Sequence, residues 1–190
     1  DASMSATLEA EKSFWLAAKR RLGGKWNWVA TNSDAINAFV TPYCPRYVFV
    51  HKGLLEKLDP SDDELAFLVG HELSHVVHGH GQQNIDQQAM SATVQLVVLT
   101  CIDPTGLLAF MAASLLSYIS DNTLVKAFSR KNEHEADEMG MRIVALACYD
   151  PLQASKMMQK LDIVQGHRRG SWSDTHPPTA DRFTILENQS

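Results

Sequence analysis

The sequence predicts a mainly helical α+β fold with a small β-sheet near the N-terminus. Its 190 residues correspond to roughly one domain, and a hydrophobic fraction of 45% supplies a core for it. Short runs rich in β-branched and aromatic residues are confined to about 26–51, which indicates strands. After residue 52 the apolar residues recur at helical spacing. We therefore expect residues 1–190 to form a single domain.

The N-terminal part is expected to hold one helix followed by the sheet. Leu8, Trp15 and Leu16 follow helical spacing, which predicts a helix over 5–20 that ends at Gly23-Gly24. Strands are predicted over 26–31, 36–40 and 47–51, the last two separated by Pro42 and Pro45. The helical body is expected to break at Asp59-Pro60, Gly79 to Gly81, Asp103-Pro104, Asp150-Pro151 and His176-Pro177-Pro178.

Charge and cysteine content exclude two classes of protein. Lys and Arg total 17 against 22 Asp and Glu, so the chain lacks the cationic excess of a general nucleic-acid binder. Cys44, Cys101 and Cys148 are too scattered for a disulfide framework or a cysteine-type zinc site, and we expect small buried thiols. The first residue is Asp1, so we expect a processed or partial form with any targeting segment upstream.

The stretch 87–120 is unusually apolar. Residues 87–102 and 104–120 carry no charge, and only Asp103 interrupts them. Each half is shorter than the roughly 20 residues that span a bilayer. One interpretation is therefore a pair of buried core helices joined by a turn at 103–106. The alternative is a hairpin that dips into a membrane or lies on its surface.

The strongest motif is His71-Glu72-Leu73-Ser74-His75, an HExxH pattern. Its two imidazoles lie side by side only on a helix, where residues four apart share a face. A helix is predicted over about 61–79, because Ser61-Asp62-Asp63-Glu64 forms a capping box after Pro60 and an apolar run follows. The motif is therefore predicted to lie on a helix, as metal binding by both imidazoles requires.

The polar residues of this motif lie beside the apolar stripe of the predicted helix. Leu65, Leu68 and Val69 mark the stripe, and Glu72 and His75 fall on or next to it. Burying such groups without partners is costly, and a bound dication removes that cost. Zinc fits best, because two neutral imidazoles and one carboxylate leave a fourth position open for water.

A second helix, predicted over about 130–148, is expected to supply the third ligand. Its buried side is marked by Ala136, Gly140, Ile143 and Ala147. Glu133 lies on the same side and is the best third ligand, while Asp137 is placed to accept the free N–H of a ligating imidazole. Glu135 and Glu138 are expected to point elsewhere, into solvent.

Two further histidines compete for a place at the metal. His78 is three residues after His75, but seven residues after His71 is almost two helical turns away. We therefore expect His78 to lie on the surface, or to contact a metal ligand without binding the metal itself. His80 is assigned to the Gly-rich end of the helix.

Together these stretches resemble the gluzincin metallopeptidase family that includes the HtpX heat-shock protease, the type I CAAX prenyl protease and the mitochondrial inner-membrane stress peptidases. The matching residues are Asn37-Ala38-Phe39-Val40, Tyr47 to Leu55, Asp63 to His75, Ser129-Arg130 with Glu133, Ala136 and Asp137, and His176-Pro177-Pro178 with Arg182. The resemblance spans 34–186 and is greatest to the compact mitochondrial and bacterial periplasmic branch. It implies a zincin-like metallopeptidase domain.

The resemblance also implies roles for particular residues. It implies one zinc ion per chain, bound by His71, His75 and Glu133, with Glu72 as the catalytic base. It places His176 or Arg182 near the metal. His176 is the candidate donor to the oxyanion of the reaction, and Arg182 is either a second donor or a structural anchor.

The family likeness further places Asn37, Ala38, Phe39 and Val40 beside the active-site helix, as an edge strand that pairs with an extended substrate. An ordinary inner strand is the alternative. The sequence departs from the family at Pro42-Tyr43-Cys44-Pro45-Arg46, where relatives usually carry Pro-Gly-Gly. The loop next to the cleft is therefore expected to differ in shape.

The favoured function is a zinc-dependent metalloendopeptidase that cleaves misfolded or membrane-associated proteins in protein quality control. The alternatives are a catalytically dormant, zinc-stabilised adaptor or chaperone-like domain, and a membrane anchor built on 87–120. The expected partner is an extended polypeptide, with membrane association through 87–120 or flanking segments and no nucleic acid. The mitochondrial inner membrane is favoured over the bacterial periplasm, and no pattern indicates an oligomeric state.

Overall fold

The computed structural model describes residues 2–102 and 130–164, together with Trp172 and His176. The helices, numbered along the chain, are α1 (Ala2–Leu22), α2 (Lys52–Leu58), α3 (Asp62–His78), α4 (His80–Ile102), α5 (130–146) and α6 (Gln153–Val164). The strands are β1 (Asn27–Thr31), β2 (Ala38–Thr41) and β3 (Cys44–His51). The predicted fold class, mainly helical with a small N-terminal sheet, is confirmed.

The sheet has the order β1-β3-β2, so β2 lies at one edge. Strand β3 runs parallel to β1 and antiparallel to β2. It begins before residue 47, the predicted start, because the register shifts after Val40 and Arg46 adopts a φ of 65°. This irregularity lets Pro45 lie within a strand although it has no N–H to donate.

Helix α3 has well-defined ends. The Ser61 hydroxyl accepts the N–H of Glu64, and the Glu64 carboxylate accepts the N–H of Ser61 at 2.7 Å. Lys160 of α6 lies 2.6 Å from the same carboxylate, which ties α3 to α6. Gly79 ends the helix with a φ of 75°, a conformation that favours glycine. Because α4 begins at once with His80, the predicted break over three residues is wrong in extent.

The main core lies between the sheet, α3 and α6. Phe67 and Leu68 of α3 are fully buried in this core. Their cluster includes Ala38, Val48, Val50, Leu54, Met157 and Leu161. Burial of this many apolar side chains fixes α3 against β2 and β3, and so fixes the position of the motif residues that follow Leu68.

Helix α4 carries the first part of the apolar stretch, while residues 103–120 lie outside the described residues. Met90, Val94, Val97 and Val98 are exposed, although the sequence favoured buried core helices. That interpretation is wrong for these residues of α4, because their side chains are exposed rather than packed in the core. No helix in the described ranges combines the length and apolar character needed to cross a membrane. The membrane-surface alternative stays a prediction.

The cysteines differ from the expectation as well. Cys44 and Cys148 are free thiols and both are exposed, so the prediction of buried thiols is wrong for these two. Cys44 starts β3 directly after a tight turn, and Cys148 follows α5 with a φ of 62°. Chain reversals of this kind lie on the surface, where neighbouring side chains do not cover a thiol.

Candidate active site

The motif residues of α3 point away from solvent. His71 is fully buried, Glu72 is 2% exposed, and the His75 side chain is 14% exposed. They lie in the second half of α3, beyond the Phe67–Leu68 core. This half of the helix contacts β2 on one side and α5 on the other.

Two glycines bring α5 unusually close to α3. A Cβ atom added at Gly70 would lie 3.0 Å from the carbonyl oxygen of Gly140. A Cβ atom added at Gly140 would lie 3.0 Å from the backbone nitrogen of His71 and 3.1 Å from its Cα atom. The missing side chains therefore set the separation of the two helices beside the first motif histidine.

Replacing Gly140 with Ala is expected to lower the free energy of unfolding by about 1–3 kcal/mol, because the new methyl group overlaps rigid backbone. Helix propensity alone predicts the opposite, because alanine is a better helix former than glycine and should raise the stability. Urea unfolding measures the effect. Ala145→Ser, on the exposed side of α5, is the control and should change stability by less than about 0.5 kcal/mol. A more stable Gly140→Ala variant would show that α5 can move away freely.

Four side chains from three parts of the chain converge beside α3. His71, His75, Glu133 and His176 each offer a ligand atom, and these atoms all lie within 4.8 Å of one another. Glu133 belongs to α5, and it is 2% exposed. A buried carboxylate among three imidazoles is a typical metal-binding donor set.

The spacing of these atoms fits a zinc ion. The Nε2 atoms of His71 and His75 are 3.1 Å apart. They lie 3.4 Å and 3.5 Å from the nearer carboxylate oxygens of Glu133. Bonds of about 2.0–2.2 Å in a tetrahedral zinc site place ligand atoms about 3.3–3.6 Å apart. The two distances to Glu133, one to each carboxylate oxygen, match the edge of such a tetrahedron, and the distance between the two imidazoles is slightly shorter.

Asp137 orients the first imidazole. Its Oδ1 atom lies 2.8 Å from Nδ1 of His71, and both side chains are buried. Because a carboxylate only accepts hydrogen bonds, the proton is on Nδ1 of His71. In neutral His71 the lone pair of Nε2 then points toward His75 and Glu133, as metal binding requires.

His176 occupies the remaining side of the cluster. Its Nδ1 atom is 3.0 Å from both oxygens of Glu133, and its Nε2 atom is 3.2 Å from Oε1 of Glu72. Burial alone would lower the pKa of His176, but the charge of Glu72 and the hydrogen bond to Glu133 raise it to about 9. The imidazole is therefore a proton-carrying donor at neutral pH.

Burial and neighbouring groups also shift the pKa values of Glu133, His71 and His75. Burial would raise the pKa of Glu133, but hydrogen bonds from His176 and His71 hold it well below its usual range. Burial would lower the pKa of His71, but hydrogen bonds to Asp137 and Glu133 raise it. Burial and repulsion by the other imidazoles lower the pKa of His75. His75 is therefore neutral at pH 7, the form that binds metals.

Trp172 holds His176 in place. The two rings stack with centroids 3.9 Å apart and an interplanar angle of 20°. The backbone N–H of His176 donates to the carbonyl of Trp172, and the N–H of Trp172 donates to the carbonyl of Ile36. The fully buried indole thus anchors the imidazole beside the segment that leads into β2.

Glu72 is held by the edge strand. Its Oε2 atom accepts the backbone N–H of Val40 at 3.1 Å. Its Oε1 atom is buried and makes no hydrogen bond of good geometry, although His176 lies near it. Oε2 of Glu72 is therefore fixed, whereas Oε1 can still accept a hydrogen bond from a molecule in the neighbouring cleft.

The cleft in front of these residues has a volume of about 490 Å³ and is open to solvent. Phe39, Val40 and Thr41 of β2 line it together with Glu72 and His176. A second, more apolar cavity of about 330 Å³ shares Val40, Thr41 and His75 with the cleft. Its wall includes Pro42, Cys44, Pro45 and Arg46, which belong to the segment that departs from the family pattern.

Comparison with known proteins agrees with this geometry. The model of peptidase family M48 matches residues 8–190. The chain belongs to this family. The resemblance to gluzincin metallopeptidases is thereby confirmed.

Several metallopeptidases of this family are similar to the chain. It is 34% identical over 171 residues to the mitochondrial metalloendopeptidase OMA1 of Arabidopsis thaliana, and 31% identical over 170 residues to that of Homo sapiens. It is 24% identical over 164 residues to the metalloprotease LoiP of Escherichia coli. The alignments cover 90%, 85% and 86% of this chain, but 33%, 32% and 62% of the relatives. The chain thus spans about a third of the length of the OMA1 relatives.

The structure brings together most residues that the sequence singled out. His71, His75, Glu133, Glu72, Asp137 and His176 meet in one site, and Asn37 to Val40 run along it at the sheet edge. Arg182 lies outside the described residues. His78 is not in the cluster, because its Nδ1 atom contacts the carbonyl of Ser74 at 3.0 Å.

The surroundings of three residues go beyond the prediction. His80 follows the Gly79 cap at the helix end, as predicted, but it is also 3% exposed and contacts His75. Glu135 does not point into solvent alone, because its carboxylate contacts His80 at 3.2 Å. Trp172 was missed, although a lone Trp four residues before His176 is spaced for one helical turn.

Proposed function

We propose that residues 1–190 form one peptidase domain that acts as a zinc-dependent metalloendopeptidase. The single observation that carries the proposal is the convergence of His71, His75 and Glu133, with ligand atoms 3.1–3.5 Å apart, directly beside Glu72 at an open cleft. Membership in peptidase family M48 supports it, as do the printed names of relatives such as the metalloendopeptidase OMA1.

His71, His75 and Glu133 would hold one zinc ion. When bound there, zinc supplies Lewis-acid chemistry and makes a water molecule more acidic, to a pKa of about 7. The Nδ1–H of His71 is bound by Asp137, which keeps the imidazole in the ligating tautomer. This role of Asp137 rests on a buried 2.8 Å contact between the two side chains.

Glu72 is the general base. The N–H of Val40 binds Oε2, so Oε1, which lies 3.2 Å from Nε2 of His176, is the oxygen that takes the proton of the attacking water. The same carboxyl group then gives the proton to the leaving amine. A non-enzymatic zinc site has no use for this carboxylate, so its position argues against a dormant adaptor.

His176 is the donor to the oxyanion that forms on the substrate carbonyl. Its two ring nitrogens lie beside the carboxylates of Glu133 and Glu72, which favour a proton on the ring, and the Trp172 stack limits its movement. A positioned donor of this kind stabilises charge only as it develops. We assign Arg182 a supporting role, either as a second donor or as an anchor.

The substrate binds as an extended strand along Asn37, Ala38, Phe39 and Val40. This segment ends in the edge strand β2, and three of its residues, Asn37, Phe39 and Val40, line the cleft. Pairing with a sheet edge reads the main chain more than the side chains. Such binding suits unfolded polypeptides of many sequences.

The setting of this activity is protein quality control at a membrane. The names of the OMA1 relatives support a mitochondrial location, and we favour the mitochondrial inner membrane over the bacterial periplasm, although the bacterial metalloprotease LoiP is also similar. The exposed apolar side chains of α4 support association with a membrane surface.

Metal removal tests the proposal. Treatment with a strong chelator is expected to abolish casein cleavage, and one equivalent of Zn²⁺ per chain should restore it. Mg²⁺ should not restore it, because Mg²⁺ prefers six oxygen ligands to imidazoles. Cleavage that survives complete metal removal would refute the proposal. Stoichiometric zinc binding without any cleavage would favour the dormant adaptor.

A further inference from the structure

We propose that His80 is a positioning residue that fixes the ligating tautomer of His75 through a relay ending at Glu135. The inference rests on the proposed zinc site and extends it to a residue outside the HExxH motif. The Nδ1 atoms of His75 and His80 are 2.9 Å apart, and Nε2 of His80 is 3.2 Å from Oε2 of Glu135. His80 is 3% exposed, so water does not compete for these contacts.

The direction of each hydrogen bond follows from the end of the relay. The Glu135 carboxylate can only accept, so the proton in that contact is on Nε2 of His80. A neutral His80 then has a lone pair at Nδ1, which accepts the N–H from Nδ1 of His75. The lone pair of His75 at Nε2 is thereby directed to the side where His71 and Glu133 lie. The opposite tautomer of His80 would set two N–H groups against each other at 2.9 Å.

Both ligating imidazoles are therefore oriented by carboxylates of α5. Asp137 of α5 binds His71 directly, whereas Glu135 of α5 reaches His75 only through His80. An intermediate is needed because His75 lies one turn further along α3. The left-handed turn at Gly79, with a φ of 75°, reverses the chain so that His80 lies against His75.

The surroundings of His80 favour one ring orientation. His78 stacks on His80 with ring centroids 5.1 Å apart and an interplanar angle of 16°. Phe14 of α1 in turn packs on His78, with centroids 5.3 Å apart. Rotation of the His80 ring would break this stack as well as both hydrogen bonds.

Zinc affinity of the purified chain tests the relay, by competition with a chromophoric chelator. His80→Phe keeps an aromatic ring but removes the acceptor, and it should weaken zinc binding by about 10–100-fold, as expected for loss of a ligand's hydrogen-bond partner. His80→Asn places a carbonyl oxygen near the position of Nδ1 and should recover most of the affinity. His78→Phe is the matched control, since it keeps the stack and touches no ligand, and its affinity should equal that of the wild type.

A second variant, Glu135→Gln, changes a partly exposed side chain and leaves the buried His80 ring in place. Unlike the carboxylate, the amide can donate as well as accept, so the proton is no longer held on Nε2 of His80 and zinc binding should weaken. Wild-type affinity in both His80→Phe and Glu135→Gln would overturn the relay. Equal loss in His80→Phe and His80→Asn would also overturn it, because packing alone would then explain the effect. Absence of zinc binding in the wild-type chain would instead overturn the proposed function and the relay with it.

Discussion

The Glu72→Gln variant is expected to lose about 10²–10⁴-fold in kcat while it keeps its zinc and its fold. The Gln side chain has nearly the same size, and its carbonyl oxygen can still accept the N–H of Val40, which Oε2 of Glu72 accepts at 3.1 Å. It cannot take a proton from water at neutral pH. The loss should therefore appear in the chemical step rather than in zinc content or substrate affinity.

Cleavage of a fluorogenic peptide, measured together with zinc content, checks this result. Glu138→Gln is the matched control, because Glu138 is an exposed residue of α5 that pairs with the nearby Arg142, at 2.8 Å, and lies outside the cluster. The control should cleave at the wild-type rate. A fully active, zinc-loaded Glu72→Gln variant would remove Glu72 from the mechanism.

The Glu133→Gln variant is expected to lose zinc almost completely. The carboxylate supplies the only anionic atoms among the four candidate ligand side chains, and it is 2% exposed. A neutral amide oxygen is a weaker zinc ligand, and the variant also loses the charge that interacts with His71 and His176. The affinity loss should exceed the about 10–100-fold expected when a ligand loses only a hydrogen-bond partner.

Zinc content after dialysis against a weak chelator measures the effect. Glu133→Asp, which keeps the charge on a shorter side chain, should retain more zinc than Glu133→Gln. Full zinc stoichiometry in Glu133→Gln would assign the third ligand to His176, whose Nδ1 atom lies 3.4 Å from Nε2 of His71. His78 is not a candidate in that case, because it contacts Ser74 and lies outside the cluster.

The sequence predicted those features that depend on neighbours within one helix. The spacing of His71 and His75 brings two imidazoles together on any α-helix, and the capping box at Ser61 marks where that helix begins. The same periodicity places Glu133 and Asp137 on one side of α5. These relations are set by the geometry of 3.6 residues per turn, so they can be derived without knowing how the helices pack.

Only the tertiary structure decided how separate elements meet. The contact at Gly70 and Gly140 sets the distance between α3 and α5, and the turn at Gly79 lays His80 against His75. For this reason the expectation that Glu135 points into solvent holds only in part, since one of its carboxylate oxygens contacts His80 from another helix. Contacts between elements depend on the backbone path and on which surfaces pack, and neither is encoded in the period of a single segment.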